Sequence, residues 1–208
     1  MEIRAENCEP IAEILVKANE VSDEALIGQV CAGDEAAFER LFNRHKVRVS
    51  RLAYRFFARR EQVEEVVQEA FTRAYFSLPE FRGGHEFSFA AWISRIAVRA
   101  CYDELRRQRR RAESNLSDLS EDESAYLSRR LRDNPLGGSV EERIISRDLA
   151  GKLLARLAPE DRMVLTLLNL KDQSIAEVSA LTGWSIGKVK MRALRARNSL
   201  RRVVGRYV

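Results

Sequence analysis

The residues best suited to chemistry lie near the carboxyl end of the chain, where one hydroxyl and four cationic side chains occur at helical spacing. These residues are Ser185, Lys188, Lys190, Arg192 and Arg195. Lys188, Arg192 and Arg195 stand at i, i+4 and i+7, which predicts that they share one face of a helix. An apolar stripe on another face consists of Ile186, Val189, Ala193, Ala196 and Leu200. A helix with an apolar back and long cationic side chains suits the major groove of DNA, where Lys and Arg reach bases and phosphates.

The residues before this helix have the spacing of a helix-turn-helix. Residues 174–180 are predicted to form a short helix, 181–184 a turn and 185–201 the second helix. Gly183 can supply the positive φ that such a turn often requires, and Ser185 is a good N-cap for the second helix. The same pattern also fits an ordinary basic helical hairpin with no DNA to bind.

The charge of the chain is divided between segments. Residues 99–111 carry a net charge of +4, and 178–208 carry +8 with no acid at all. The segment between the two, 112–145, has a net charge of −4. Two basic segments separated by an acidic spacer indicate two contacts with a polyanion such as nucleic acid. The alternative is that both basic runs are merely solvated helix faces.

The sequence offers little to catalysis or to metal binding. His45 and His85 lie in unrelated segments, without a Cys or carboxylate at metal-ligand spacing. Glu64 and Glu65 are adjacent in a predicted helix and face different ways, so they do not form an acid–base pair. There is no Gly-rich phosphate loop and no nucleophile elbow. We therefore expect a protein that is not an enzyme and uses no metal or cofactor.

Composition limits the class of protein further. The chain has 208 residues, a net charge of +5 and 45% hydrophobic residues, enough for one ordinary domain or two small ones. No apolar run approaches the roughly 18 residues of a membrane-spanning helix, and the acidic N-terminus is unlike a secretory signal. The three cysteines are scattered without C-x-x-C spacing. These features predict a reduced, cytoplasmic protein without membrane insertion.

Helices are predicted to position all of these residues. The four prolines mostly mark boundaries, and no sustained alternation of polar and apolar residues predicts a sheet. The fold class is therefore all-α, with two small helical domains joined by an acidic flexible linker. The predicted divisions are an N-terminal extension at 1–23, a first domain at 24–111, the linker at 112–139 and a second domain at 140–208. Asp23 or Asp34 is expected to cap an early helix.

Several motifs together resemble the extracytoplasmic-function (ECF) group of bacterial sigma factors, which keep only regions 2 and 4 of the sigma-70 family. Residues 65–71 (EVVQEAF) resemble region 2.2, and 81–83 (FRG) with 89–97 (FAAWISRIA) resemble region 2.3. Asp103, Arg106 and Arg107 match the Asp and paired arginines of region 2.4. Residues 157–162 (LAPEDR) resemble the entry to region 4.1, and 174–197 resemble region 4.2. The motifs occur in the correct order, which is more specific than any one of them.

The resemblance implies a helical region 2 bundle, a region 4 helix-turn-helix and a role in transcription initiation. It implies that region 2.2 binds the clamp helices of the β′ subunit of core RNA polymerase and that region 4 binds the β flap. The residues it assigns to polymerase binding are Glu65, Gln68, Glu69 and Arg73. The residues it assigns to the −10 promoter element are Arg82, Phe89, Arg95, Arg99, Asp103, Arg106 and Arg107. The residues it assigns to the −35 element are Ser185, Lys188, Lys190, Arg192 and Arg195.

Some features of the sequence depart from the family pattern or admit another function. Arg99 stands where the family commonly has Asn, which favours a phosphate contact. Trp92 lies on an apolar stripe and is expected in the core, while residues 11–18 fit a short amphipathic helix. The alternatives are a helix-turn-helix regulator that acts without core polymerase and a protein-interaction module with basic surfaces. The resemblance also implies an anti-sigma factor as a partner.

Overall fold

The computed structural model describes residues 21–83, 88–112, 121–133, 149–169 and 173–205, and every regular element in these ranges is helical. The amino-terminal helices are α1 (Asp23–Cys31), α2 (Glu35–Ala53), α3 (Arg60–Ser77) and α4 (Phe89–Ala112), with a 3₁₀ turn at Leu78–Glu80. The later helices are α5 (Glu121–Asp133), α6 (Pro159–Asn169), α7 (Ile175–Thr182) and α8 (Ile186–Val204). Residues 149–155 are also helical and precede α6.

Side-chain caps fix where the first helices begin. The Asp34 carboxylate accepts hydrogen bonds from the backbone N–H groups of Ala36 and Ala37, at 2.9 and 3.2 Å, which confirms its predicted capping role. Asp23 is not a cap, because the preceding Ser22 hydroxyl accepts from Ala25 N–H. Asp23 is the first residue of α1 instead, where a carboxylate interacts favourably with the helix dipole. Its side chain also lies 2.7 Å from Nε2 of the buried His45.

Helices α1 to α4 pack as a bundle and bury their apolar stripes against one another. The predicted stripe of α3 is buried in full: Val63, Val66, Val67, Ala70, Phe71 and Ala74. These residues face α2 and α4 across the bundle. Among the largest side chains with almost no exposed surface are Leu26, Leu41, Phe89 and Ile93, one or more from each of α1, α2 and α4. The bundle therefore has a single core to which every helix contributes.

The helix-turn-helix forms as predicted, although α7 and α8 extend beyond their predicted ends at 180 and 201 to Thr182 and Val204. Ser174 and Glu177 cap α7 reciprocally, and Gly183 adopts a left-handed φ of 72° in the turn. The hydrogen bonds from Ser174 to the Glu177 carboxylate lower the pKa of that group. α7 continues to Thr182, two residues beyond the predicted end. Thr182 extends it because its hydroxyl donates to the Val178 carbonyl and accepts from Trp184 N–H.

The two halves of the chain are in contact. α4 packs against both α6 and α7, and the buried residues of the two halves form one connected core. That core joins Val98, Cys101 and Leu105 of the first half to residues of the second half that include Met163 and Val178. The prediction of two small helical domains holds at the level of their helices, but the domains are packed together.

α5 lies inside the segment that the sequence predicts to be a flexible linker. Three acids in its first turn, Glu121, Asp122 and Glu123, favour the positive end of the helix dipole. Tyr126 packs on a small core of Leu149 and Leu153, and Lys152 pairs with Glu123. The acidic spacer is thus partly helical and attached to the second half of the chain. The rest of the predicted linker, and the predicted amphipathic helix at 11–18, lie outside the described residues.

Candidate nucleic-acid interface

The exposed face of α8 carries three of the predicted −35 residues. Lys188, Lys190 and Arg195 are all exposed, and Ser185 caps the helix by accepting a hydrogen bond from Lys188 N–H at 3.3 Å. The back of the helix is buried through Val189, Ala193 and Ala196, as the sequence predicts. A capped helix that presents cations from its first turns is arranged as a major-groove reader requires.

This face also carries two apolar residues that are not among those predicted from the sequence. Met191 is 53% exposed and Leu194 is 57% exposed, beside the cations Lys190 and Arg195. Ile186, predicted to be buried, is also half exposed, at the first residue of the helix. In the sequence, Met191 and Leu194 lie off the predicted apolar stripe, which indicates that they are exposed. Apolar side chains on a groove-facing surface can contact thymine methyl groups.

Arg192 and Lys188 have partners within the chain. Nη1 of Arg192 lies 3.2 Å from Oδ1 of the buried Asp161 in α6, and the Arg192 side chain is only a quarter exposed. Nζ of Lys188 lies 4.1 Å from the ring centre of Trp184, a cation–π distance. The structure therefore divides the set predicted to share one face, since Arg192 turns toward α6 while Lys188 and Arg195 remain exposed.

The predicted polymerase-binding residues lie along α3, and one of them connects to α4. Glu65 and Gln68 are exposed. Arg73 donates from Nε to Glu69 Oε1 and from Nη1 to Asp103 Oδ2, both at 2.7 Å. One guanidinium thus joins the predicted polymerase residues to a predicted −10 residue. We call this arrangement the Arg73 bridge.

An apolar groove of about 300 Å³ lies beside Gln68 and was not predicted from the sequence. Its wall includes Phe38, Tyr75 and Phe76. Phe76 is 76% exposed, more than any other large apolar side chain that the structure describes. The surface of α3 near Gln68 is therefore both polar and apolar, as protein–protein interfaces commonly are.

The predicted −10 residues are distributed between surface and core. Arg82, Arg99, Arg106 and Arg107 are exposed, Arg95 is half-buried, and Asp103 is held by Arg73. Arg107 pairs with the buried Glu104 at 3.0 Å. Phe89 has no exposed surface, which corrects its assignment as a DNA contact in this conformation. Its ring packs against His45 and Phe81. It also packs against Trp92, which the sequence predicts to lie in the core.

A second network fastens α4 to the helix-turn-helix half. Tyr102 Oη donates to Glu160 Oε1 at 2.6 Å, and the Tyr102 ring meets Trp184 edge to face at 5.9 Å between ring centres. We call Tyr102, Glu160 and Trp184 the clasp. Burial, together with the hydrogen bond to Glu160, raises the pKa of Tyr102 to about 12. Burial would raise the pKa of Glu160, but the bonds from Tyr102 and its own backbone and the nearby Arg192 and Arg106 lower it on balance.

The clasp predicts how the packing of the two halves against each other, which we call closure, depends on pH. The contribution of Glu160 is complete above its ordinary pKa of 4.5 and is lost as the pH falls through the lowered value. The contribution of Tyr102 is complete below its ordinary pKa of 10 and is lost as the pH rises through about 12. We expect Tyr102→Phe to weaken closure by about 1 kcal/mol, because water can solvate the released carboxylate. Small-angle X-ray scattering of the full chain will then show a larger radius of gyration.

Ultraviolet titration provides the control for this prediction. One tyrosine of the wild-type chain should ionise near pH 12, and that tyrosine should be missing from the titration of Tyr102→Phe. Tyr75→Phe, on the exposed surface of α3, should leave the radius of gyration unchanged. Equal radii for Tyr102→Phe and the wild type would show that the clasp does not hold the halves together.

Metal and membrane sites are not found in the part of the chain that the structure describes. Within those residues no group of three or more His, Cys, Asp or Glu side chains is arranged to hold a metal ion. None of the helices described is long and apolar enough to cross a bilayer. His45, one of the two histidines considered from the sequence, is a core residue paired with Asp23.

Together these features define an all-helical DNA-binding protein in which a basic helix-turn-helix packs on a helical bundle. Residues 41–111 match the family model for Sigma-70 region 2, and residues 147–200 match that for Sigma-70 region 4. The chain is 32% identical over 185 residues to the ECF RNA polymerase sigma-E factor of Escherichia coli (strain K12), covering 88% of this chain and 94% of that protein. The corresponding factor of Haemophilus influenzae is 34% identical over 190 residues, 88% of this chain and 95% of that protein. The chain belongs to the ECF sigma factors of the sigma-70 family.

A solved structure supports the fold. The structure of CnrH in complex with the cytosolic domain of CnrY aligns with a TM-score of 0.51 at 24% identity, covering 88% of this chain and 97% of that one. The family is non-enzymatic: its members direct core RNA polymerase to promoter DNA for transcription initiation. The resemblance found in the sequence is therefore confirmed, as are the fold class and the general function.

Proposed function

We propose that α8 of this sigma factor reads the −35 element and that α4 with its flanking arginines opens and reads the −10 element. The observation that carries the proposal is the exposed cationic face of α8, where Lys188, Lys190 and Arg195 project from a capped helix with a buried back. The cations Arg99, Arg106 and Arg107 give α4 a second basic surface. Phosphate contacts from these residues would position the protein, and base contacts would give it sequence preference.

The closed arrangement must open before both elements can be read at once. At 3.4 Å per base pair, the roughly 25 base pairs from −35 to −10 extend about 85 Å. α4 and the helix-turn-helix are in direct contact here, and Trp184 of the clasp lies in the turn before α8. We infer that core polymerase separates the two halves when it binds them.

The polymerase surface is proposed to lie on α3. Glu65 and Gln68 are exposed there, and Glu69 and Arg73 lie next to them in the Arg73 bridge. These residues would bind the clamp helices of the β′ subunit, and the region 4 half would bind the β flap. Such a factor would act in the cytoplasm, where the polymerase and the chromosome are found.

An anti-sigma factor is the proposed regulator. The family resemblance implies such a partner, and the CnrH structure of similar fold was solved with a second protein bound, the cytosolic domain of CnrY. A partner that binds both halves in their closed arrangement would withhold α4 and α8 from DNA together. It would also withhold α3 if it covered the groove beside Gln68.

Run-off transcription from a genomic promoter library tests the proposal. Core polymerase with this chain should give discrete transcripts that share two upstream elements, and core polymerase alone should not. A variant with Gln68→Ala and Glu65→Ala should lose these transcripts in proportion to its loss of core binding, measured by co-migration with polymerase. Duplex binding by the free chain as a dimer, with no polymerase-dependent transcript, would overturn the proposal in favour of a regulator that acts without polymerase.

A further inference from the structure

A cleft of about 380 Å³ lies between the two halves of the chain, away from both the clasp and the DNA-facing surfaces. Its first wall is the end of α2 and the residues that follow, including Arg51, Arg55 and Phe56. Its second wall comes from residues 149–155 and α6, including Leu154 and Arg162. A volume of this size is within the range of small-molecule sites.

The charge of the cleft is unbalanced. Of the described residues, eleven line it, and these include three arginines and neither Asp nor Glu. Nη1 of Arg55 and Nε of Arg162 are buried and have no hydrogen-bond partner in the described part of the chain. Arg162 does donate from Nη2 to the Phe56 carbonyl at 2.8 Å, which fixes its guanidinium across the two walls. Burial lowers the pKa of Arg162 to about 10, so the group is still charged at neutral pH.

Such an arrangement is costly unless something satisfies it. A buried donor on a charged group that lacks an acceptor destabilises a fold, and unpaired buried charge does so more strongly. Even a buried ion pair can often be replaced by apolar side chains of similar volume with a neutral or stabilising effect. Two such donors that line one cleft are therefore placed to receive an acceptor from outside the described part of the chain.

We propose that this cleft binds a small organic anion, whose carboxylate or phosphate accepts hydrogen bonds from Arg55 and Arg162 and whose apolar body lies against Phe56 and Leu154. The donors come from both halves of the chain, so the anion would bridge them. Guanidinium groups bind carboxylate and phosphate with paired hydrogen bonds, which gives the site its preference for these two groups. The aromatic and aliphatic walls exclude a fully hydrated inorganic ion as the best ligand.

The consequence is that the ligand favours the closed chain. A ligand that contacts both halves binds the closed arrangement more tightly than the open one, and it shifts the population by that difference in affinity. If the proposed function holds, the anion would reduce the fraction of the chain available to core polymerase. The binding itself does not depend on the proposed function and can be measured on the free chain.

Calorimetric titration of the full chain with phenyl phosphate and with phenylacetate tests the site, and the stronger of the two identifies the anionic group. Inorganic phosphate and benzyl alcohol supply the charge and the apolar body separately, and each should bind at least tenfold more weakly than the better aromatic anion. Arg55→Gln and Arg162→Met should each weaken binding by tenfold or more, as loss of a charge-assisted hydrogen bond requires. Arg48→Gln removes the same charge from the exposed surface of α2 and should leave the affinity unchanged.

Thermal unfolding and scattering complete the test. Arg162→Met should unfold at the wild-type temperature or above it, which shows that lost binding is not lost folding. At a concentration that saturates only the wild-type chain, the ligand should reduce the radius of gyration of the wild-type chain but not that of Arg55→Gln. Equal binding of all four probes, or affinities in the two cleft variants equal to that of Arg48→Gln, would overturn the site. Ligand-induced compaction without any effect on transcription would preserve the site and overturn only the inferred effect of the anion on the fraction of the chain available to core polymerase.

Discussion

Replacing Lys190 and Arg195 together with glutamine will weaken binding of the polymerase holoenzyme to a promoter by about 100-fold at the −35 element. Both side chains are exposed on α8, and the loss of two groove contacts at roughly 1.4 kcal/mol each gives that factor. If both contact phosphates rather than bases, the slope of log affinity against log salt will fall by about two. Binding should be measured with the holoenzyme, because in the free chain α8 belongs to a half that is closed against α4.

A matched double variant on the same helix distinguishes the effect of where the cations lie from the effect of losing their charge. Arg201→Gln with Arg202→Gln removes the same charge from the last turn of α8, far from the turn that leads a recognition helix into the groove. This variant should keep the promoter preference and most of the affinity. If the two double variants lose equal affinity on all sequences, α8 contributes general attraction for DNA and does not read the −35 element.

Replacing Phe89 with alanine will destabilise the chain by about 3–5 kcal/mol, the range for removing a buried aromatic ring from a core. Phe89 has no exposed surface, and its ring lies 5.0 Å from His45 and 5.6 Å from Trp92 between ring centres. The loss combines buried apolar area, ring–ring contacts and the cavity that remains. Urea unfolding of the full chain, followed by circular dichroism, measures it.

Phe76→Ala is the matched control for this prediction, since it makes the same substitution on α3 at a side chain that is 76% exposed. Its effect on stability should be small. Phe89→Leu should recover much of the stability because it refills the core with an apolar side chain. A stable Phe89→Ala variant that fails only in opening the −10 element would return Phe89 to the −10 contact predicted from the sequence.

The parts of the molecule that sequence predicts well are those set by local interactions. The stripe of α3 from Val63 to Ala74 follows helical periodicity, and all six of its predicted members are buried. The turn of the helix-turn-helix follows from Gly183, since glycine adopts its φ of 72° without the strain that a side chain usually brings. The family assignment is equally secure because its motifs are short, colinear segments.

The parts that sequence predicts poorly depend on contacts distant in the chain. Phe89 lies in a region 2.3 motif, but its burial is decided by residues of α2 such as His45. Arg192 has the spacing of a DNA contact and pairs instead with Asp161, 31 positions away. The packing of α4 on α6 and α7 leaves no periodic signal of its own, because each apolar stripe predicts burial without identifying its partner.

Because one continuous core joins the two halves of the chain, their separation depends on temperature. Separating Val98 and Cys101 from residues such as Met163 and Val178 would expose apolar surface to water, and such exposure carries a positive change in heat capacity. Near room temperature the attraction between such surfaces is mainly entropic and weakens on cooling. Cold therefore favours the open chain, and the enthalpy of opening increases with temperature. The fraction of this sigma factor that is available to its polymerase therefore depends on how water hydrates a few side chains that are buried in the closed chain.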